Sequence, residues 1–179
     1  STRMSKAQRR VQLLETAAAV VRAEGVEALT LARLAEQAGV TKPIAYEHFG
    51  TRAGLLIALY QHFDARQTEA VAAALKASAR RLNDIALLLA TAYVDCTLQA
   101  GPEFGAISDA LSASEEMDDF RQVLRDGYVD QFLAAFGAHI TASPSQARLT
   151  MSGLLGAADV LARSAAGGRC TRQAAISTL

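Results

Sequence analysis

Several residue types are scarce in this sequence, and each scarcity excludes a class of protein. The chain has no tryptophan, only three prolines and two cysteines, and Cys96 and Cys170 lie far apart without the spacing of a metal site or a disulfide framework. It has no run of alternating β-branched residues and no Asn-Gly or Asp-Gly hairpin turn. Because 51% of the residues are hydrophobic, the composition predicts an all-α protein with a substantial buried core.

Signals for other locations and chemistries are also missing. No signal peptide is visible, and no uninterrupted apolar run reaches the ~20 residues of a membrane span, so we expect a cytoplasmic protein without a membrane partner. His48, His62 and His139 are scattered, and no catalytic triad order, Glu-x-x-His pair or glycine-rich phosphate loop stands out. We therefore expect no enzyme activity, no metal and no organic cofactor. The alternative hypothesis is that the protein is a small all-helical enzyme.

The formal net charge is zero, but the charge is unevenly distributed along the chain. Residues 1–54 hold eight basic and five acidic groups, whereas residues 55–179 hold ten basic and thirteen acidic groups. A basic N-terminal region joined to an acidic remainder would orient the molecule on a polyanion such as DNA.

The stretch 29–56 has the pattern of a helix-turn-helix. Thr30 is a good N-cap for a first helix with three-and-four apolar spacing, and Gly39 can end that helix in the left-handed conformation. Thr41 can cap a second helix with Pro43 in its first turn, where a missing N–H costs nothing. We therefore predict two short helices joined by a tight turn, followed by a long third helix.

The second of these helices has an unusual outer face. Ala45 and Phe49 lie four residues apart and can face the first helix. The positions left to point outward are Lys42, Pro43, Ile44, Tyr46, Glu47 and His48. Cationic, imidazole and apolar groups of this kind suit the phosphates, base acceptors and thymine methyls of a DNA major groove.

These residues resemble a known family. The segments that carry the resemblance are Thr30, Leu34-Ala35, Ala38-Gly39-Val40-Thr41-Lys42-Pro43, Tyr46, His48-Phe49, Thr51-Arg52 and Leu55-Leu56. In type and spacing they are similar to the N-terminal domain of the tetracycline-repressor (TetR) family of bacterial regulators. Ile44, Ala45 and Ala53-Gly54 depart from the family pattern, and we expect them to alter the operator sequence and to loosen the packing of the recognition helix.

The resemblance implies a DNA-binding transcriptional repressor that binds a near-palindromic double-stranded operator as a homodimer and is released by a small molecule. Family members hold phosphates with residues that match Thr41, Tyr46 and Arg52. The full set of predicted DNA contacts is Thr30, Arg33, Thr41, Lys42, Pro43, Ile44, Tyr46, His48 and Arg52. A helical interaction module that has lost specific DNA binding is a further alternative.

The remainder of the chain predicts a helical bundle, so we divide the protein into a DNA-binding domain at 1–54 and a ligand-binding and dimerisation domain at 55–179. Helices are expected at 51–79, at 82–98, at 104–111 and from a cap at Ser114 to about residue 138. The segment 82–98 is apolar on nearly every side, which is typical of a helix at the centre of a bundle.

Two further sites are predicted in this bundle. An effector pocket, favouring an apolar or aromatic ligand, would be lined by Tyr93, Asp95, Cys96, Gln99, Phe104, Met117, Phe120, Val123, Leu124 and Tyr128. Asp95 is a carboxylate in an apolar helix, so it should either meet an arginine such as Arg121 or Arg125 or face the ligand. Small residues at helical spacing predict a dimer interface at Leu149, Gly153, Leu154, Gly156, Ala157, Val160 and Leu161.

Overall fold

The computed structural model describes residues 4–76, 81–112 and 115–179, and throughout these ranges the regular structure is helical. The α-helices in chain order are α1 (Lys6–Glu24), α2 (Leu31–Ala38), α3 (Lys42–Phe49), α4 (Arg52–Lys76), α5 (Leu82–Ala100), α6 (Pro102–Leu111), α7 (Glu115–Phe136), α8 (Pro144–Ala166) and α9 (Arg172–Thr178). Short 3-10 helices lie at Val26–Ala28 and Gly137–His139. The all-α prediction is confirmed, while Ser114, the predicted cap of α7, lies outside the described residues.

Local capping residues set several helix ends. The Thr30 hydroxyl accepts a hydrogen bond from the Arg33 N–H at 3.0 Å and begins α2, and Gly39 ends α2 in the left-handed conformation with φ of 64°. Ser143 and Thr171 cap α8 and α9 through their hydroxyl oxygens. Each cap satisfies a backbone N–H that the helix itself leaves unpaired.

The chain packs as two compact units. The first unit lies within residues 1–63 and 102–114, and the second within 64–101 and 115–179. The long helix α4 contributes its beginning to the first unit and the rest to the second. The division at residue 54 remains a prediction about domains; by packing, the first unit also takes in the start of α4 and all of α6.

In the first unit, α6 packs beside α1 and the start of α4. The Phe104 ring stacks on Tyr60 with 5.0 Å between centroids and meets Phe63 edge-on at 5.8 Å. The neighbouring Glu103 is buried, and its carboxylate accepts a hydrogen bond from the Arg22 guanidinium on α1. Aromatic packing and this ion pair therefore join α6 to the helices that carry the helix-turn-helix.

In the second unit, α5 packs against α7, α8 and α9. The core holds Val94 and Leu89 of α5 together with Phe132 of α7 and Leu155 of α8. The prediction that α5 lies at the centre of the bundle agrees with this packing. The prediction that α5 is buried on nearly every side is wrong. Leu82 and Leu87 are exposed, and Leu87 lines an open groove beside α4, because that side of α5 is left partly uncovered.

The described residues hold neither a single helix able to span a membrane nor a cluster of side chains suited to a metal ion. Within 4–76, 81–112 and 115–179, no single helix is long and apolar enough to cross a membrane, and α5 and α6 reach that length and apolarity only together, across the break at Gly101. The same ranges contain no group of three or more His, Cys, Asp or Glu side chains placed to hold a metal ion.

Candidate nucleic-acid interface and effector region

Basic residues of α1 fasten the C-terminal half of α3. The Arg10 guanidinium donates to the His48 carbonyl oxygen at 2.6 Å and lies 4.9 Å from the centroid of the Phe49 ring. The Lys6 ammonium donates to Glu47 Oε1 at 2.8 Å. Charge-assisted bonds and a cation–π contact thus fix α3 to a longer helix, which gives its outer face a defined orientation.

The junction between α3 and α4 is very tight. Gly50 has φ of 69° and ψ of −57°, and the Thr51 N–H donates to the Phe49 carbonyl oxygen at 2.7 Å, which is the geometry of a γ-turn. Gly54 lies so close that a Cβ there would overlap the same carbonyl oxygen. The expectation that Ala53-Gly54 loosens the recognition helix is therefore wrong for Gly54, because the missing side chain permits a closer approach.

The side of α3 away from the core presents the predicted contact residues. Tyr46 is 52% exposed, Lys42 and Pro43 are also exposed, and Ile44 and His48 are half-buried. Thr41 precedes α3 in extended conformation and makes no side-chain capping bond, so its hydroxyl can meet a phosphate.

His48 sits where a neutral imidazole is favoured. Partial burial lowers the pKa of His48, and the nearby Lys6 and Arg10 cations lower this pKa further, although Glu47 opposes them. At neutral pH the imidazole would therefore bring one donor and one acceptor to DNA rather than a positive charge.

Two predicted DNA contacts, Arg52 and Arg33, already have partners within the first unit. The Arg52 guanidinium donates to the carbonyl oxygens of Leu29 and Val26, both at 2.9 Å, so it anchors the start of α4 to the segment before α2. The Arg33 guanidinium bonds Glu24 and Glu36, each at 2.7 Å. Their contacts with DNA remain predictions, and each would require these bonds to be shared or broken.

Some predicted effector residues come together in the second unit. The Tyr93 and Tyr128 rings meet edge-on with 6.0 Å between centroids. The Tyr128 hydroxyl accepts from Thr68 Oγ1 at 3.3 Å and donates to the Asp64 carbonyl oxygen at 3.4 Å. A buried polar and aromatic cluster therefore joins α4, α5 and α7.

The buried carboxylate of this cluster is Asp64, which was absent from the predicted set. Burial raises the pKa of the Asp64 carboxyl to about 6, and the nearby Tyr128 hydroxyl opposes the shift. Asp95, predicted either to meet an arginine such as Arg121 or Arg125 or to face the ligand, accepts hydrogen bonds from the Arg172 guanidinium on α9 at 2.5 and 2.7 Å. Asp64 could have been found from its spacing, since it lies two helical turns before the buried Val71 and so shares its side of α4.

The other predicted effector residues are dispersed. Gln99 and Val123 are exposed, so they line no enclosed site within the second unit, and Phe104 belongs to the first unit. Met117 is buried. The remaining predicted effector residues are only partly buried, and these are Cys96, Phe120 and Leu124.

The second unit also holds a small apolar cavity. Its volume is about 20 Å³, enough for about one water molecule. The lining comes from α5, α7, α8 and the end of the chain, and includes Tyr93, Phe132, Phe136, Leu154 and Leu179. In this conformation the core would have to open to admit a larger apolar molecule.

One side of α8 carries an exposed apolar stripe. Leu149 is 73% exposed and Val160 57% exposed, and Gly153 and Ala157 between them are also exposed. A Cβ at Gly153 or Gly156 would meet open space. Of the remaining predicted interface residues, Leu154 and Leu161 pack against the core of their own unit.

Comparisons with known proteins agree with this geometry. Residues 13–59 match the family model described as "Bacterial regulatory proteins, tetR family", a range that runs from within α1 through α2 and α3 to the start of α4. No curated protein sequence matches the chain at a significant level.

Solved structures share the fold over nearly the whole chain. The structure of a transcriptional regulator from Pseudomonas aeruginosa PAO1 is 15% identical with a TM-score of 0.80, covering 99% of this chain and 89% of the other. A TetR-like regulator from Rhodococcus sp. RHA1 is 20% identical with a TM-score of 0.74, and the match covers 98% of this chain and 93% of the regulator. The multidrug binding protein EbrR, solved with imidazole, is 20% identical with a TM-score of 0.72, covering 96% and 87%.

Proposed function

We propose that this chain, whose residues 13–59 match the model of the tetR family of bacterial regulatory proteins, is a cytoplasmic repressor that binds a near-palindromic operator as a homodimer and is released by a small molecule. The observation that carries the proposal is the outer face of α3, where Lys42, Pro43 and Tyr46 are exposed on a helix that α1 and α4 hold firmly. Two such helices, separated by about one DNA turn of ~34–36 Å, would read successive major grooves.

The test is selection of bound duplexes from a randomised DNA pool by the purified full chain at a stated near-physiological salt concentration. We expect enrichment of a site with two symmetric half-sites. If no symmetric site is enriched and binding falls uniformly with salt, the chain is a non-specific DNA binder, and the alternative of an interaction module gains support.

The effector is proposed to be an apolar or aromatic small molecule. Tyr93, Tyr128 and the apolar cavity beside them support this class, and imidazole in the structure of the similar EbrR is a small aromatic compound. A ligand that prefers an opened body over the DNA-binding conformation by a few kcal/mol shifts operator occupancy strongly. Displacement of the selected operator by a panel of aromatic and aliphatic compounds would test this preference.

Tyr46→Phe is expected to weaken binding to all DNA sequences about equally. The substitution removes one hydroxyl donor to a phosphate from each subunit and keeps the ring, which should cost about 2 kcal/mol for the dimer, or roughly thirtyfold in affinity. The slope of log affinity against log salt should stay unchanged, whereas Lys42→Ala, which removes one cation from each subunit, should reduce its magnitude by about 1.8. Competitive binding to operator and scrambled duplexes measures both effects, and an altered sequence preference in Tyr46→Phe would exclude a phosphate role.

Ala157→Glu is expected to convert the homodimer to a monomer. The position is exposed at the middle of the α8 stripe, so in a two-fold interface the new charges from both copies would be desolvated near each other. Light scattering should report a halved mass with unchanged helical content. Ala65→Glu, at an exposed position of α4, is the matched control and should leave the dimer intact; a dimer that survives Ala157→Glu would move the interface elsewhere.

A further inference from the structure

The residue on α3 most directly opposed to the protein core is acidic. Consecutive residues of an α-helix are about 100° apart around the axis, so Glu47 lies about 200° from Ala45 and from Phe49. Those two residues are buried in the first unit, and the Glu47 side chain is 62% exposed. A helix that enters a groove with its outer face must therefore bring this carboxylate toward the DNA.

A carboxylate at that position is costly unless DNA offers it a donor. Phosphates surround the major groove, and an unpaired negative charge in such an interface loses solvation and is repelled. Lys6 reduces the repulsion, because its ammonium holds Glu47 Oε1 at 2.8 Å. The hydrogen bond with Lys6 also lowers the pKa of the Glu47 carboxyl, so the group is ionised at neutral pH and acts only as an acceptor.

The major-groove edge of cytosine supplies the complementary group. Its N4 amino group donates hydrogen bonds there, and Glu and Asp are the side chains that accept from it. The bond with Lys6 uses Oε1, and a carboxylate has a second oxygen for a further donor. Lys6 also restricts the Glu47 side chain to one side of α3. This restriction favours recognition of a single base.

We propose that Glu47 is a specificity-determining residue that accepts a hydrogen bond from the N4 amino group of a cytosine, once in each half-site. The inference rests on the proposed function, since it requires α3 to enter the major groove. It goes beyond the predicted DNA contacts, which did not include Glu47. The opposing interpretation is that the Lys6–Glu47 pair only braces α1 against α3.

The experiment compares the selected sites of the full wild-type chain with those of Glu47→Gln, Glu47→Ala and Lys6→Ala. A glutamine pairs with adenine through N6 and N7, so Glu47→Gln should replace cytosine by adenine at one symmetric pair of positions, with about a tenfold change in relative affinity. Glu47→Ala should lose the preference at that position alone. Lys6→Ala should lower affinity for all sequences and keep the cytosine.

Two controls separate specificity from structure. Glu15→Gln makes the same substitution at an exposed position of α1 and should leave the selected site unchanged. Because Glu47 is well exposed, its variants should keep the wild-type melting temperature, so a changed base preference cannot come from unfolding.

The outcomes distinguish this inference from the proposed function. If the wild type selects a symmetric site and both Glu47 variants select that same site, base recognition by Glu47 is overturned while the regulator proposal stands. Equal loss of affinity on every sequence would likewise overturn it and leave Glu47 as a brace. If the wild type selects no symmetric site, both proposals fail together.

Discussion

The Gly54→Ala variant is expected to unfold about 5–10 °C below the wild type and to lose most of its affinity for DNA. An alanine Cβ at this position would overlap the Phe49 carbonyl oxygen, which belongs to the backbone and is also the acceptor for the Thr51 N–H. Relief requires α3 and α4 to move apart. Overpacking of this kind costs about 2–3 kcal/mol, which gives the stated shift in melting temperature for a chain of this size.

The matched control is Gly105→Ala in α6, which also belongs to the first unit. A Cβ there would meet nothing within 4 Å, so the higher helix propensity of alanine should stabilise the protein by about 0.5–1 kcal/mol. Thermal unfolding followed by circular dichroism, together with operator binding, measures both variants. Equal stabilisation by the two substitutions would show that the α3–α4 junction has room for a Cβ at position 54.

Asp64→Asn is expected to stabilise the protein above pH 6 and to change little near pH 4. Burial raises the pKa of Asp64 from an ordinary 3.8 to about 6 in the folded protein. Each pKa unit corresponds to about 1.4 kcal/mol. Ionisation of the buried carboxyl therefore lowers the free energy of unfolding by at most ~3 kcal/mol. An amide of the same shape avoids that cost.

The sign of the pH dependence follows from proton binding. Between pH 4 and 6 the folded state binds more protons at Asp64 than the unfolded state does, so this group makes stability fall as pH rises through that range and then level off. Denaturant unfolding of wild type and variant at several pH values should show a difference that grows from pH 4 to pH 6.

Asp95→Asn provides a comparison of opposite sign. Hydrogen bonds from Arg172 lower the pKa of Asp95, so its contribution is present at neutral pH and is lost as pH falls through the lowered value. Because the pair is partly exposed, its removal should cost only about 0.5 kcal/mol at pH 7. If Asp64→Asn also destabilises the protein at pH 7, a partner stabilises the Asp64 carboxylate and burial does not dominate its contribution to stability.

Local signals in the sequence predicted much of the fold. Capping depends on residues within a turn of each other, and Thr30 and Gly39 bound α2 as predicted. Apolar spacing likewise identified the core side of α3, where Ala45 and Phe49 are buried. These features follow from backbone geometry and short-range hydrogen bonds, so they can be inferred without knowing how helices are arranged.

The misjudged features depend on contacts between distant segments. Arg22 and Glu103 are 81 residues apart, and Asp95 and Arg172 are 77 apart, and helical periodicity does not specify which arginine meets which acid. The close approach at Gly54 depends on the turn angle between two helices. The candidate DNA surface lies on one short helix, so its residues could be predicted from the sequence. The effector region is formed by several helices, and their packing could not be predicted in this way.

The packing of α6 with the helix-turn-helix changes what can be exchanged between related proteins. A chimera that transplants residues 1–54 alone would carry Arg22 away and leave the buried Glu103 carboxylate facing a foreign α1. A buried charge without its partner costs several kcal/mol. The transferable module is therefore discontinuous, since it consists of the first 63 residues and α6, and the two residues of the Arg22–Glu103 pair must be inherited together.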